Sequence, residues 1–95
     1  MKVTSVNLKK IDNQENLKAF ATIILDDSLA IHNLKLIQGN NGLFIAFPNY
    51  KGSNDKYYDI VHPIVGNLRK EIETEIINSY NKKILFKKQV VLIVF

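Results

Sequence analysis

Leu17-Lys18-Ala19-Phe20-Ala21-Thr22-Ile23-Ile24-Leu25, then Asp26-Asp27-Ser28, then Leu29-Ala30-Ile31-His32-Asn33-Leu34-Lys35-Leu36-Ile37, is the stretch on which the fold turns. Leu17, Ala19, Ala21, Ile23 and Leu25 recur with period two, the spacing of a strand with one buried face. Phe20 and Ile24 fall on the opposite side, so cover on both faces is expected. The acidic pair and serine form a tight turn, which makes Leu29 to Ile37 the partner strand of a hairpin. Its pattern breaks midway. Leu29 and Ile31 point one way, Leu34 and Leu36 the other. A bulge near His32-Asn33 reconciles them, and so does burial of both faces.

Outward from the hairpin the chain stays strand-like. Val3 to Ile11 places Val6 and Leu8 on one face, and Asp12 to Asn16 is a polar turn cluster. Asn40-Asn41-Gly42 tolerates positive φ and turns the chain. Leu43 to Phe47 is a short apolar strand ended by Pro48. Asn49 to Lys56 reads as a polar loop, and Tyr57 to Val61 as a fifth strand. The helix comes last. Asn67 is the expected N-cap, and Leu68, Ile72, Ile76 and Tyr80 recur every four residues with Ile77 widening the stripe. Glu71, Glu73 and Glu75 near its start, with Lys82 and Lys83 beyond its end, complement the helix dipole. The expected fold is α+β: a five-stranded antiparallel sheet followed by one helix. One helix covers one face of a sheet, so the apolar positions on the other face create pressure towards a dimer.

Composition bounds the rest. Ninety-five residues make one small domain, and the 46% hydrophobic content is that of a globular chain. The net charge of +4 favours anionic partners without choosing among them. There is no cysteine, which excludes disulfides, thiolate metal sites and a cysteine nucleophile, and makes the cytoplasm the expected compartment. No apolar run follows Lys2, so no signal peptide is expected. The longest apolar run, Val90 to Phe95, is far short of the about 20 residues that span a bilayer, and no membrane association is expected.

Two blocks carry a likeness to a known family. Gly39-Asn40-Asn41-Gly42-Leu43-Phe44-Ile45-Ala46-Phe47-Pro48 resembles the central motif of the SpoVG family (stage V sporulation protein G), and Asp59-Ile60-Val61-His62-Pro63-Ile64 resembles its second block at a matching distance. The opening Met1-Lys2-Val3-Thr4 and the stretch from Ile31-His32-Asn33-Leu34 to Ile37 also fit. The resemblance runs from Met1 to about Tyr80. It implies a five-stranded antiparallel sheet followed by a helix, a homodimer, and DNA or RNA binding in gene regulation linked to septation, cell division or sporulation. The chain departs from the family pattern twice. Family members often carry a Lys-Arg or Arg-Arg pair after the proline, whereas this chain reads Asn49-Tyr50-Lys51-Gly52. Their tails are usually polar and acidic, whereas this one is apolar.

The candidate nucleic-acid surface is Tyr50-Lys51 through Lys56-Tyr57-Tyr58, joined by Arg69-Lys70, with Lys9 and Lys10 next in line. Lysines displace counterions from phosphates, and tyrosine faces stack on unpaired bases. By composition alone the same residues read as a solvated loop with tyrosines packed on the fifth strand; the resemblance tips the balance to function. Arg69 and Lys70 oppose the dipole in the first helical turn, where a bound phosphate would find both cations and free N–H groups. On the sequence alone they read as a solvent-facing pair.

Catalytic residues, a metal site, a cofactor and a small-molecule substrate are not expected. His32 and His62 lack ligand spacing and read as structural. Ser5, Ser28, Ser53 and Ser79 have no flanking signature of a nucleophile, and Gly39-Asn40-Asn41-Gly42 lacks the Lys-Ser/Thr step and the following helix of a phosphate loop. An alternative to nucleic-acid binding is a protein-interaction module that acts in septation.

The organisation expected is a SpoVG-like domain over residues 1–83 and an apolar extension over 84–95. Val90 to Phe95 is uncharged and rich in β-branched residues, with Lys87 and Lys88 as flanking charges, the pattern of a strand that must pair. Fixing six residues costs about 6–12 kcal/mol of backbone entropy. Burial returns about 1.5–3 kcal/mol for each large side chain. The segment is therefore expected to be an added strand, on its own sheet or across a dimer interface.

Overall fold

The structure is a computed structural model that describes residues 1–11 and 15–94, with side chains through Lys82. The chain runs β1 (Val3–Lys10), β2 (Leu17–Leu25), β3 (Leu29–Gly39), β4 (Gly42–Ala46), β5 (Asn49–Lys51), β6 (Tyr57–Asp59) and α1 (Gly66–Val94). Strands β1 to β4 form one antiparallel sheet in sequence order, and β5 and β6 form a separate two-stranded ribbon. The α+β class holds, but the strand expected at Tyr57 does not join the main sheet. It pairs instead with Asn49–Lys51, which the sequence reading took for loop.

The hairpin reads as its sequence implies. Asp26 and Asp27 both take φ of 52°, the left-handed conformation that short polar side chains tolerate, and Ser28 N–H donates to the Leu25 carbonyl at 2.9 Å. The polar turn expected before β2 falls partly on residues outside those described. The break in β3 is a bulge. Ala21 faces Leu34 and Ile23 faces Ile31, so His32 and Asn33 together oppose Thr22, and Asn33 takes φ of 64°. One extra residue thus returns Leu34 and Leu36 to the face already occupied by Ile31.

That face holds the core. Ala19, Ala21, Ile23 and Leu25 of β2, Leu34 and Leu36 of β3, Ile45 of β4 and Phe47 beyond it are buried together with Ile72 and Ile76 of α1. Val6 and Leu8 of β1 and Leu68, Ile77 and Tyr80 of α1 pack at its margin. The four-residue recurrence read from the sequence is therefore the docking stripe of the helix. A part-buried hydrogen bond ties the helix to the sheet edge, where Val3 N–H donates to Glu71 Oε2 at 2.6 Å.

Both helix ends differ from expectation. Arg69 N–H donates to the Val65 carbonyl, so α1 begins at Gly66 and Asn67 lies inside the first turn rather than capping it. At the other end the helix continues to Val94 where an added strand was expected over Val90 to Phe95, the last of which lies outside the described residues. No glycine or proline lies between Leu68 and Val94 to stop the helix, and continuing it satisfies each backbone N–H within the segment itself. A strand would have needed a free sheet edge to do the same. The flanking charges at Lys87 and Lys88, and the packing of the apolar tail, fall on side chains outside those described.

Candidate nucleic-acid interface

The ribbon is built from residues too exposed to announce themselves as strands. All of β5 and β6 is exposed, and the pairing Asn49–Asp59, Tyr50–Tyr58, Lys51–Tyr57 brings two tyrosine rings together at 5.7 Å between centroids with a 30° tilt. The turn is closed by Gly52 N–H donating to the Lys56 carbonyl at 2.7 Å and Asp55 N–H donating to the Gly52 carbonyl at 3.1 Å. Asn54 fastens it, since its Nδ2 donates to the Tyr58 hydroxyl at 2.7 Å and its Oδ1 accepts from Lys56 N–H at 3.2 Å. Ile60 N–H, donating to the Pro48 carbonyl at 2.7 Å, closes the root of the ribbon.

Gly52 is required by this geometry. A Cβ there would lie 2.8 Å from Tyr58 Cε2 and 3.0 Å from Asn54 Oδ1. Gly52→Ala should displace the Tyr58 ring and break the tyrosine pair. Because that ring is exposed, the loss of stability should stay below about 1 kcal/mol, a shift in melting temperature of less than about 4–8 °C. The readout is the tyrosine signal in near-ultraviolet circular dichroism, which should change while the far-ultraviolet spectrum does not. An unaltered tyrosine signal would contradict the close approach.

Of the residues singled out in the sequence, three lie on the ribbon and two at the start of the helix. Tyr50, Lys51 and Lys56 project from the ribbon and its turn, while Arg69 and Lys70 sit on the first turn of α1. Arg69 lies over the ring of Phe47 at 5.0 Å, directly before the ribbon root. A guanidinium on an aromatic face contributes about 0.5–2 kcal/mol, which offsets its unfavourable position at the helix start. Arg69 is thus part of the packing as well as a surface cation. Lys51 Nζ stands 3.7 Å from Asp55 Oδ1, an exposed pair of little energetic weight. With Lys51 and Lys56 set against Asp55 and Asp59, the ribbon over 49–59 carries no net charge.

Lys9 and Lys10 are not part of this cluster. They lie on β1, the sheet edge opposite β4 and the ribbon. Lys10 faces Ala19 on the core side and is half-buried with an interaction of its own, whereas Lys9 is exposed on the other side beside Phe20. The two histidines take local hydrogen bonds, His32 Nδ1 with Thr22 Oγ1 at 3.2 Å and His62 Nδ1 with the Pro63 carbonyl at 3.1 Å. Among the described residues no group of three or more His, Cys, Asp or Glu could hold a metal ion.

The helix-free side of the sheet contains what the sequence reading missed. Lys9, Phe20, Lys35 and Ala46 stand opposite one another in a single row across the four strands. Lys35 and Phe20 drew no notice as functional residues because nothing in the linear order relates them to Lys9. Only the register across two strand pairs does.

The sequence model of the SpoVG family matches residues 1–82. The chain belongs to the SpoVG family. Among its relatives, the SpoVG protein of Finegoldia magna is 45% identical over 89 residues, covering 94% of this chain and 81% of that protein. The SpoVG protein of Fusobacterium nucleatum is 45% identical over 82 residues, covering 84% and 88% respectively. That of Staphylococcus aureus is 40% identical over 82 residues, covering 86% and 82%. Each of the three bears the name of a septation protein, a name that describes no enzyme. The family match stops before Lys83, so the apolar end of the helix lies beyond it. Among the described residues, no helix of this SpoVG chain is long and apolar enough to cross a membrane.

Proposed function

We propose that this chain is a nucleic-acid-binding regulator of gene expression that works in the cytoplasm as a homodimer, without catalysing a reaction, in processes linked to septation, cell division or sporulation. The observation that carries the reading is the exposed ribbon of tyrosines and lysines. Exposed Tyr50, Lys51 and Lys56 set cations beside aromatic faces on a hairpin, and Arg69 over Phe47 joins the start of the helix to the chain just before it. Cations position phosphates, aromatic faces accept bases, and a helix N-terminus favours an anion. DNA and RNA both fit this chemistry.

A second reading rests on a different observation. Met1, Ile60, Ile64 and Val65 are exposed apolar residues, Ile64 at 90%, near the start of α1. Such a patch suits a protein partner or the second copy of a dimer. The two readings differ in their response to salt. Retention of a short labelled DNA or RNA should weaken steeply from low to physiological salt if phosphates are bound. Absence of any retention at micromolar protein in low salt would leave the protein-interaction module as the better account.

A further inference from the structure

We infer that the helix-free face of the four-stranded sheet is a platform for single-stranded nucleic acid, with an unpaired base over Phe20 and phosphates on Lys9, Lys18 and Lys35. The inference rests on the nucleic-acid reading above but names a different surface from the ribbon and helix start.

Strand register makes the platform. Phe20 of β2 has Lys9 of β1 on one side and Lys35 of β3 on the other. Adjacent strands lie about 4.8 Å apart, so the two lysines flank the ring about 10 Å from each other. Lys18 is on the same face two positions earlier: the β2–β3 register shifts between Leu17 and Ala19, but the register with β1 holds to Lys10 opposite Ala19. Strands β1 to β4 contain four lysines and not one Asp or Glu. Lys9, Lys18 and Lys35 make no ion pair among the described residues. The ribbon, in contrast, balances its lysines with aspartates. The four strands thus carry positive charge with no acidic residue among them.

Beside Phe20 the surface is hollowed. A depression of about 330 Å³ is lined by Asn7, Lys9, Phe20, Thr22 and Asn33. The bulge contributes by holding Asn33 at φ 64° on its rim. The amides of Asn7 and Asn33 have no hydrogen-bond partner among the described residues and carry donors and acceptors that match a base edge. The ring of Phe20, in the middle of the sheet, can stack on the face of a base only where that base is unpaired. A second copy fits this face poorly, because a two-fold contact would bury lysines of both copies where the strands offer no acidic residue to pair them.

The test is fluorescence anisotropy with a labelled twelve-residue oligothymidine and with a duplex of the same length, each across a salt series. The variants are Phe20→Leu, which keeps an apolar side chain but removes the π-face, and Lys9→Gln with Lys35→Gln. Circular dichroism and mass in solution are followed for each. Phe20→Leu should weaken single-strand binding by about 5- to 150-fold and leave duplex binding within about twofold. The double lysine variant should lower the single-strand salt slope by about 1.4. If the parent chain binds but both variants bind as it does, the platform is refuted and the ribbon reading stands. If the parent chain binds neither oligonucleotide in low salt, both readings fail together. If the variants alter the mass in solution and not the affinity, the face belongs to a second copy and the inference is overturned.

Discussion

Ile76→Ala should lower the unfolding free energy by about 2–5 kcal/mol. Ile76 is fully buried and, with Ile72, is one of the two helix side chains at the centre of the core. Everything else α1 offers the sheet, from Leu68 to Tyr80, is only partly buried. Shortening Ile76 therefore removes apolar contact and leaves a cavity where the helix packs on the core. The better helix propensity of alanine returns only a few tenths of a kcal/mol. A domain of this length holds about 5–14 kcal/mol in total, so the loss is a large share. Urea denaturation followed by circular dichroism gives the value, and Asn78→Ala, exposed on the same helix, should change it by less than about 0.5 kcal/mol. A drop below about 1 kcal/mol for Ile76→Ala would mean that the helix is not docked as described.

The combined variant Lys51→Ala, Arg69→Ala, Lys70→Ala should flatten the salt dependence of duplex DNA binding by about two to three units in the logarithmic slope, three phosphate contacts at about 0.9 each. The ribbon adds to this. Removing Lys51 frees Asp55 from its 3.7 Å partner, so the span 49–59 goes from no net charge to one negative charge and repels the backbone it formerly met. Arg69→Ala also surrenders the contact with Phe47, and a loss of about 0.5–2 kcal/mol of stability is expected from that substitution alone. The fold must therefore be checked by thermal melting before affinity is compared. Unchanged affinity and slope in a folded triple variant would place the duplex-binding surface elsewhere.

The hairpin was legible because two independent signals agree on it. Period-two apolar residues bound β2 at Leu17 and Leu25, and Asp26-Asp27-Ser28 can turn where few other triplets would. The helix stripe was legible for a similar reason, since Leu68, Ile72, Ile76 and Tyr80 bury one side against an apolar sheet. Strand β5 was hidden because three exposed residues have no buried face and so no alternation to read. The end of α1 was misjudged because β-branched residues speak for a strand only where an edge is at hand, and here the helix simply continues. At the candidate site, adjacency in sequence singles out Tyr50 with Lys51 and Arg69 with Lys70. The row formed by Lys9, Phe20 and Lys35 depends on two registers and a bulge, which no local pattern records.

The extra residue of β3 behaves like a correctly placed insertion in a coded message. Strike out Asn33, and Leu29, Ile31, Leu34 and Leu36 fall into uninterrupted alternation, with His32 alone opposite Thr22 and every later pairing with β2 and β4 preserved. The hydrophobic message is complete without it. What the additional letter changes is written only on the reverse of the page, where it lifts one amide to the rim of a hollow. The architecture is thus tolerant at this position, and the cost of holding Asn33 in a left-handed conformation falls on the side of the sheet that has no helix over it.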